Sequence, residues 1–239
     1  MSIKTYIADA TLAGFDPASL PLASLDNMGD GGPLRAELSP LRLGRITGSQ
    51  FHRVTRGRGG NGWSQTAETY LYELIGEWLT GEPASNFTGN AATVWGERYE
   101  PEAIAEYQRR TRRAVARRNE FQLAKNFQLV GCTPDGINRQ RGIEVKCPFN
   151  FKNHLRTVIT QEVPDEYRDQ VNGHMLCTGR NYCDFISYDP RIQRPDLRIV
   201  VLTIERDRNA LEELADRLYD FEQLLISHLD SLDIDWRTQ

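Results

Sequence analysis

Apolar residues recur with a helical period twice in this chain. Over Ser64–Leu79 they place Tyr70, Leu71, Leu74, Ile75, Trp78 and Leu79 on one stripe, and over Asn209–Leu229 they align Leu211, Leu214, Leu218, Phe221 and Leu225. Both stretches predict amphipathic helices that turn these stripes to a core. Between them the period shortens: runs near 126–131, 141–147, 184–188 and 198–204 read as strands. Two more helices are expected at Trp95–Gln108 and Asp165–Leu176, with Pro101 in the tolerant first turn of the former. From Trp95 onward the order is helix, two strands, helix, two strands, helix, which predicts an α/β sheet flanked by helices. Residues 1–40 are rich in Pro, Gly, Ser and Asp without periodicity and read as an irregular arm ahead of a single domain, 41–239. Leu41–Val54 reads as a short strand or loop leading into a helix at Ser49, and TGEPASNFTGN breaks the helix before it.

One strand carries charges where its neighbours are apolar. In GIEVKCPF, residues 142–149, Glu144 and Lys146 project to the same face while Ile143, Val145 and Cys147 project to the other. A solvent-facing Glu–Lys pair on an amphipathic strand would explain this spacing. The segment upstream favours more. GCTPDGI holds Asp135 in turn chemistry, and a hairpin there would return Asp135 toward Glu144. Two carboxylates beside an ammonium suit a Mg²⁺ ion that also binds phosphate, with Lys146 positioning water and offsetting phosphodiester charge.

Composition narrows the class. The chain has 239 residues, 39 % of them hydrophobic, enough for a real core. No run approaches a membrane span and MSIKTYIADATLAG lacks the order of a signal peptide, so a cytoplasmic protein is expected. Four cysteines without a C-x-x-C pair read as reduced core thiols. The net charge of −4 conceals an asymmetry. EYQRRTRRAVARRNE contributes Arg109, Arg112 and Arg113 among its arginines, and RLGRITGSQFHRVTRGRGG contributes Arg45. Such a basic zone suits DNA phosphates, the alternative being a solvated helix with scattered arginines. The glycine-rich RGRGGNG lacks the GK[ST] ending of a nucleotide-binding loop, so ATP use is not indicated.

Together these segments resemble a known family. PD at 134–135 followed by EVK at 144–146 is similar to the PD-(D/E)-x-K signature of a nuclease superfamily with a mixed central sheet and a restriction-endonuclease-like core. RLGRITGS, VWGERYEPEA, CTPDG, EVKCPF, Tyr167 with Gln170–Val171, SYDPR and IERD follow in the order of the lambda-type phage exonucleases, or YqaJ-like viral recombinases. The resemblance spans roughly 40–207.

It implies roles residue by residue. Asp135, Glu144, the carbonyl of Val145 and Glu100 would hold the metal, two Mg²⁺ ions or alternatively Mn²⁺, and Lys146 would be the catalytic lysine with Gln170 beside it. Arg42, Ser49, Thr133 and Lys152 would receive a 5′-phosphate, Lys152 standing where a relative has arginine and so losing the bidentate fork. Arg45, Arg109, Arg112 and Arg113 would track the DNA backbone. The implied activity is 5′–3′ digestion of one strand of linear double-stranded DNA to 5′-mononucleotides, by a homotrimeric ring of phage or prophage origin working with a single-strand annealing protein. A superfamily endonuclease and a non-catalytic DNA-binding module are the alternatives.

Overall fold

The strand around Glu144 lies inside a sheet and not on a surface. In this computed structural model, which describes residues 4–5, 40–56, 62–84, 91–116 and 120–237, the strands are β1 (Lys4–Thr5), β2 (Ile46–Thr47), β3 (Gln122–Leu123), β4 (Val130–Cys132), β5 (Gly136–Ile137), β6 (Arg141–Lys146), β7 (Tyr182–Tyr188) and β8 (Ile199–Glu205). The helices are α1 (Phe51–Thr55), α2 (Gln65–Thr80), α3 (Ala91–Thr111), α4 (Phe151–Thr160), α5 (Asp165–Thr178) and α6 (Arg208–Ser231). The main sheet has the order β1-β8-β7-β6-β5 and a smaller one the order β2-β4-β3. Both are mixed: β6 runs parallel to β7, which pairs antiparallel with β8. The fold is α/β with helices on both faces of the main sheet.

Alternation along the central strands sorts two cores. Ile143, Val145 and Cys147, with Ile186, Tyr188, Ile199 and Val201, pack on Ala103, Ile104 and Tyr107 of α3. Cys183, Phe185, Val200, Leu202 and Ile204 pack on the other side against Val171 and Met175 of α5. A third core joins the stripes of α2 and α6 to Ile46, Phe51 and Val130. There the buried Glu222 of α6 accepts the backbone N–H groups of Gln128 and Leu129 at 2.8 and 2.6 Å, satisfying donors at the approach to β4. Helix ends follow the sequence: Ser64 caps α2 by accepting from Ala67, and Gly81 closes it in the left-handed region at φ 70°.

Several boundaries differ from the sequence reading. Pro101 sits in the middle of α3, not its first turn, because the helix begins at Ala91. Its missing N–H forfeits the bond to the Glu97 carbonyl, a cost the packing of Ala103, Ile104 and Tyr107 offsets. The strand expected near 126–131 shrinks to Val130–Cys132, since Asn126 turns the chain at φ 72°. Helix α4 was not anticipated. Within the N-terminal arm, Lys4–Thr5 pairs antiparallel with β8, while residues 1–3, 6–39, 57–61, 85–90 and 117–119 lie outside the described residues. That leaves most of the arm, most of RGRGGNG, part of TGEPASNFTGN, and Arg117 and Arg118 outside them too.

Candidate active site

Hairpin pairing brings the acids together. Strand β5 pairs antiparallel with β6, Gly136 opposite Ile143 and Ile137 opposite Gly142, which places Asp135 beside the strand that carries Glu144. Asp135 Oδ2 accepts the Val145 backbone N–H at 2.7 Å, so the carboxyl is fixed to the strand itself. On the opposite face of β6 from the α3 core, Lys146 Nζ lies 2.6 Å from Glu144 Oε1. The solvent-facing reading of this pair is therefore wrong: Glu144 is 1 % exposed.

Burial and neighbouring charges perturb Asp135, Glu144 and Lys146. Burial and then the charge of Glu144 push the Asp135 carboxyl up to about 8, with Glu100 adding and Lys146 opposing. Glu144 is raised too, by burial and by Glu100, against the pull of Lys146. Burial works to lower Lys146, yet the charges of Glu144 and Asp135 outweigh it and hold the ammonium protonated. Glu100 reaches this cluster from α3, three residues before the buried Ala103.

Two carboxyls crowded toward their neutral forms, with a third acid near, form a site whose charge a divalent cation would complete. The oxygen donors suit Mg²⁺ or Mn²⁺ over a thiolate-preferring metal. Among the described residues no three His, Cys, Asp or Glu side chains already close into a metal-holding group. An ion held by these acids would keep several positions for water or phosphate. The four cysteines are free thiols.

Helix α5 supplies the roof. Tyr167, Gln170 and His174 fall at helical spacing along it. The Tyr167 ring lies 4.8 Å from Lys146 Nζ, and His174 Nε2 lies 3.3 Å from Glu144 Oε2. His174 is fully buried, and burial drives its imidazole down to about 4, so it is neutral at ordinary pH. The sequence reading missed it. A lone histidine carries no local signal, although its position four residues after Gln170 put it on the same stripe.

The expected end-binding residues divide. Arg42 and Ser49 line one cavity of about 300 Å³ together with Arg45, Thr47, Arg53 and Tyr70. Arg42 Nε is buried there without a hydrogen-bond partner, and burial lowers the guanidinium's pKa. Thr133 and Lys152 do not line that cavity. The Thr133 hydroxyl, two residues before Asp135 in the chain, is buried without a hydrogen-bond partner, and Lys152 is exposed in the first turn of α4.

Two of the four expected backbone-tracking arginines need correction. Arg45 is only 6 % exposed and donates to the Leu41 carbonyl at 2.7 Å, so it faces the Arg42 cavity and not an outer basic surface. Arg113 donates at 2.9 Å to Asp184, a fully buried carboxylate that also receives Arg141, Thr203 and Tyr107. It is a structural ion pair. Arg109 and Arg112 are exposed, Arg109 beside Glu106 at 2.7 Å.

Comparison with known proteins shows the family. The model of the YqaJ-like viral recombinase domain matches residues 37–181, more than half of the chain. The chain belongs to the YqaJ-like viral recombinase family. Among solved structures, the alkaline exonuclease LHK-Exo from Laribacter hongkongensis is 32 % identical, with a TM-score of 0.72 over 80 % of this chain and 93 % of that one. Its complex with dAMP gives 31 % and 0.73, over 81 % and 93 %. A phage-related exonuclease from Haemophilus somnus 129PT shares the fold at 17 % identity and a TM-score of 0.62, over 77 % and 96 %. No curated protein matches. No described helix is long and apolar enough to cross a membrane.

Proposed function

We propose that this member of the family is a divalent-metal-dependent, ATP-independent exonuclease that digests one strand of linear double-stranded DNA from its 5′ end. The observation that carries the reading is the Asp135, Glu144 and Lys146 cluster on a buried β-hairpin, with both carboxyls displaced upward and the lysine held charged. Family membership and the 32 % identity to an alkaline exonuclease support it.

Asp135, Glu144 and Glu100, with the Val145 carbonyl, would hold Mg²⁺, or Mn²⁺ in its place. Bound there, such ions supply positive charge to the scissile phosphate and acidify water. Lys146 orients the attacking water and balances charge on the phosphate in the transition state. Water attacks in line, the P–O bond to the 3′ oxygen breaks, and a 5′-mononucleotide leaves. Gln170, between Tyr167 and His174 on α5, braces the lysine side of the site. Arg42 and Ser49 take the terminal 5′-phosphate in their cavity, which suits a guanidinium and a hydroxyl. Thr133 and Lys152 would have to reach that phosphate from outside the cavity. Arg109 and Arg112 contact the duplex backbone, giving salt-sensitive binding without sequence preference.

The remaining 3′ single strand would serve recombination through a single-strand annealing protein in the cytoplasm of a bacterial host. A homotrimeric ring around the duplex would make digestion processive. The test compares linear duplex carrying a 5′-phosphate, linear duplex carrying a 5′-hydroxyl, and a covalently closed circle, each with Mg²⁺. Release of mononucleotides from linear DNA alone is expected, fastest from the phosphorylated end. Cleavage of the circle would make the protein an endonuclease, and binding without release a DNA-holding module.

A further inference from the structure

Among the described residues two phenylalanines are markedly exposed, Phe149 at 48 % and Phe151 at 50 %, and both stand within five residues of Lys146. Leaving aromatic rings in water forgoes burial energy, so their concentration at one place calls for a ligand. The surroundings suit an aromatic one. Phe149 meets the Trp95 ring edge-on, with centroids 5.9 Å apart, and Trp95 lies 4.4 Å from Tyr99 one turn along α3. Tyr99 is the residue before Glu100, and Phe149 follows Lys146 by three.

Cations flank these rings. The Arg191 guanidinium lies 4.4 Å from the Trp95 centroid, and its place is fixed by a two-point bond to the buried Asp189 and by donation to the Pro148 carbonyl at 3.1 Å. Arg98 lies 5.4 Å from the Tyr99 centroid on the same helix. Rings that stack, beside guanidiniums that can face phosphates, make a surface for unstacked nucleotides and not for a closed duplex, whose base faces are hidden.

We propose that Phe149, backed by Trp95 and Tyr99, is a stacking site for the unpaired base next to the scissile phosphate. The inference rests on the nuclease reading above. An enzyme that removes one strand of a duplex must part the reacting nucleotide from its partner, and these rings are carried by the helix that bears Glu100 and by the segment that leaves β6 after Lys146.

The experiment measures binding by full-length protein in EDTA, with no cleavage. Fluorescently labelled oligonucleotides are a blunt duplex, the same duplex with two unpaired 5′ nucleotides, and that duplex with abasic sugars at those two positions. Phe149→Ala should weaken binding of the base-bearing overhang by about 5- to 150-fold, the range of a lost base stack. Binding of the blunt and abasic duplexes should change less than about twofold, and Phe149→Tyr should restore the overhang preference. Trp95 fluorescence, isolated as the difference from Trp95→Phe, should be quenched only by the base-bearing overhang. Equal losses for all three DNAs, or none for any, would overturn the stacking site. Mg²⁺-dependent digestion in the same preparation separates the two readings. Digestion with no Phe149 effect removes the stacking site alone, and base-dependent binding without digestion removes the nuclease assignment alone.

Discussion

Asp184 holds together three elements that frame the site, and its loss should be among the most damaging single changes. Its carboxylate is fully buried on β7 and receives Arg113 and Arg141 at 2.9 Å each, Thr203 at 2.6 Å and Tyr107 at 2.5 Å. Asp184→Ala leaves two guanidiniums and two hydroxyls around a hole. Removing one side of a buried ion pair costs about 3–5 kcal/mol, and stranded hydroxyls add to it. For a domain of this size that lowers Tm by about 10 °C. Arg113→Ala removes only one of the four donors, about 1.5–3 kcal/mol for a hydrogen bond to a charged group. A double-mutant cycle of the two should show a coupling of about 1–3 kcal/mol. Urea unfolding followed by circular dichroism measures all three variants. A cost below about 1 kcal/mol for Asp184→Ala, or a strong loss of DNA affinity in Arg113→Ala without loss of stability, would refute the reasoning and return Arg113 to the DNA-contacting set.

Other consequences concern charge and ends. Because the folded Asp135 carboxyl is raised from 3.8 to about 8, the folded state keeps a proton that the unfolded chain releases. Metal-free stability should therefore fall as pH rises between those two values. Glu144 shares the repulsion and Lys146 relieves part of it, so a loss of about 2–4 kcal/mol is expected, reduced in Asp135→Asn to the part that Glu144 contributes. Thermal melts in EDTA between pH 5 and 9 check this, a flat wild-type profile being the contrary result. Mg²⁺ should raise Tm above pH 7 in the wild type and much less in Asp135→Asn. Arg42→Ala should reduce the preference for 5′-phosphorylated over 5′-hydroxyl ends by about 10-fold or more, the worth of a charge-assisted hydrogen bond, measured as the ratio of initial digestion rates. Glu222→Ala should cost about 1–3 kcal/mol by stranding the Gln128 and Leu129 N–H groups, with no change in DNA affinity.

What was legible in the sequence was local. The i, i+2 spacing of Glu144 and Lys146 and the Pro134–Gly136 segment predicted a hairpin that brings Asp135 to the strand. Strand β5 does pair with β6, but Gly136 already belongs to β5 and the chain reverses at Asn138–Gln140, where the Asn138 side chain accepts the N–H groups of Gln140 and Arg141. The stripe of α6 buries the residues its period selects, and that of α2 buries Tyr70, Leu71, Leu74 and Ile75 but leaves Leu79 exposed in the last turn. Helix α4 escaped because Phe151 and Ile159 are exposed and His154 and Thr157 are its buried residues, which inverts the usual apolar stripe. His154 is satisfied inside by Ser187 and the Leu197 carbonyl at 2.9 and 2.8 Å, partners far away in the chain. The same distance hid the role of Arg113, whose partner Asp184 lies 71 positions on, so a run of arginines read as one surface divides into structural and exposed members. His174 is a tertiary fact of the same kind, since only the packing of α5 on β6 sets its ring against Glu144.

The most direct measurement is the release of nucleotides from uniformly labelled linear duplex by the wild type, Lys146→Ala and Asp135→Ala, each with Mg²⁺ and with EDTA. 5′-Mononucleotides are expected from the wild type with Mg²⁺ alone, and a loss of at least about 100-fold in both variants while they stay folded and bind DNA. Undiminished release by either folded variant, or release by the wild type in EDTA, would contradict a metal-dependent site built on Asp135, Glu144 and Lys146.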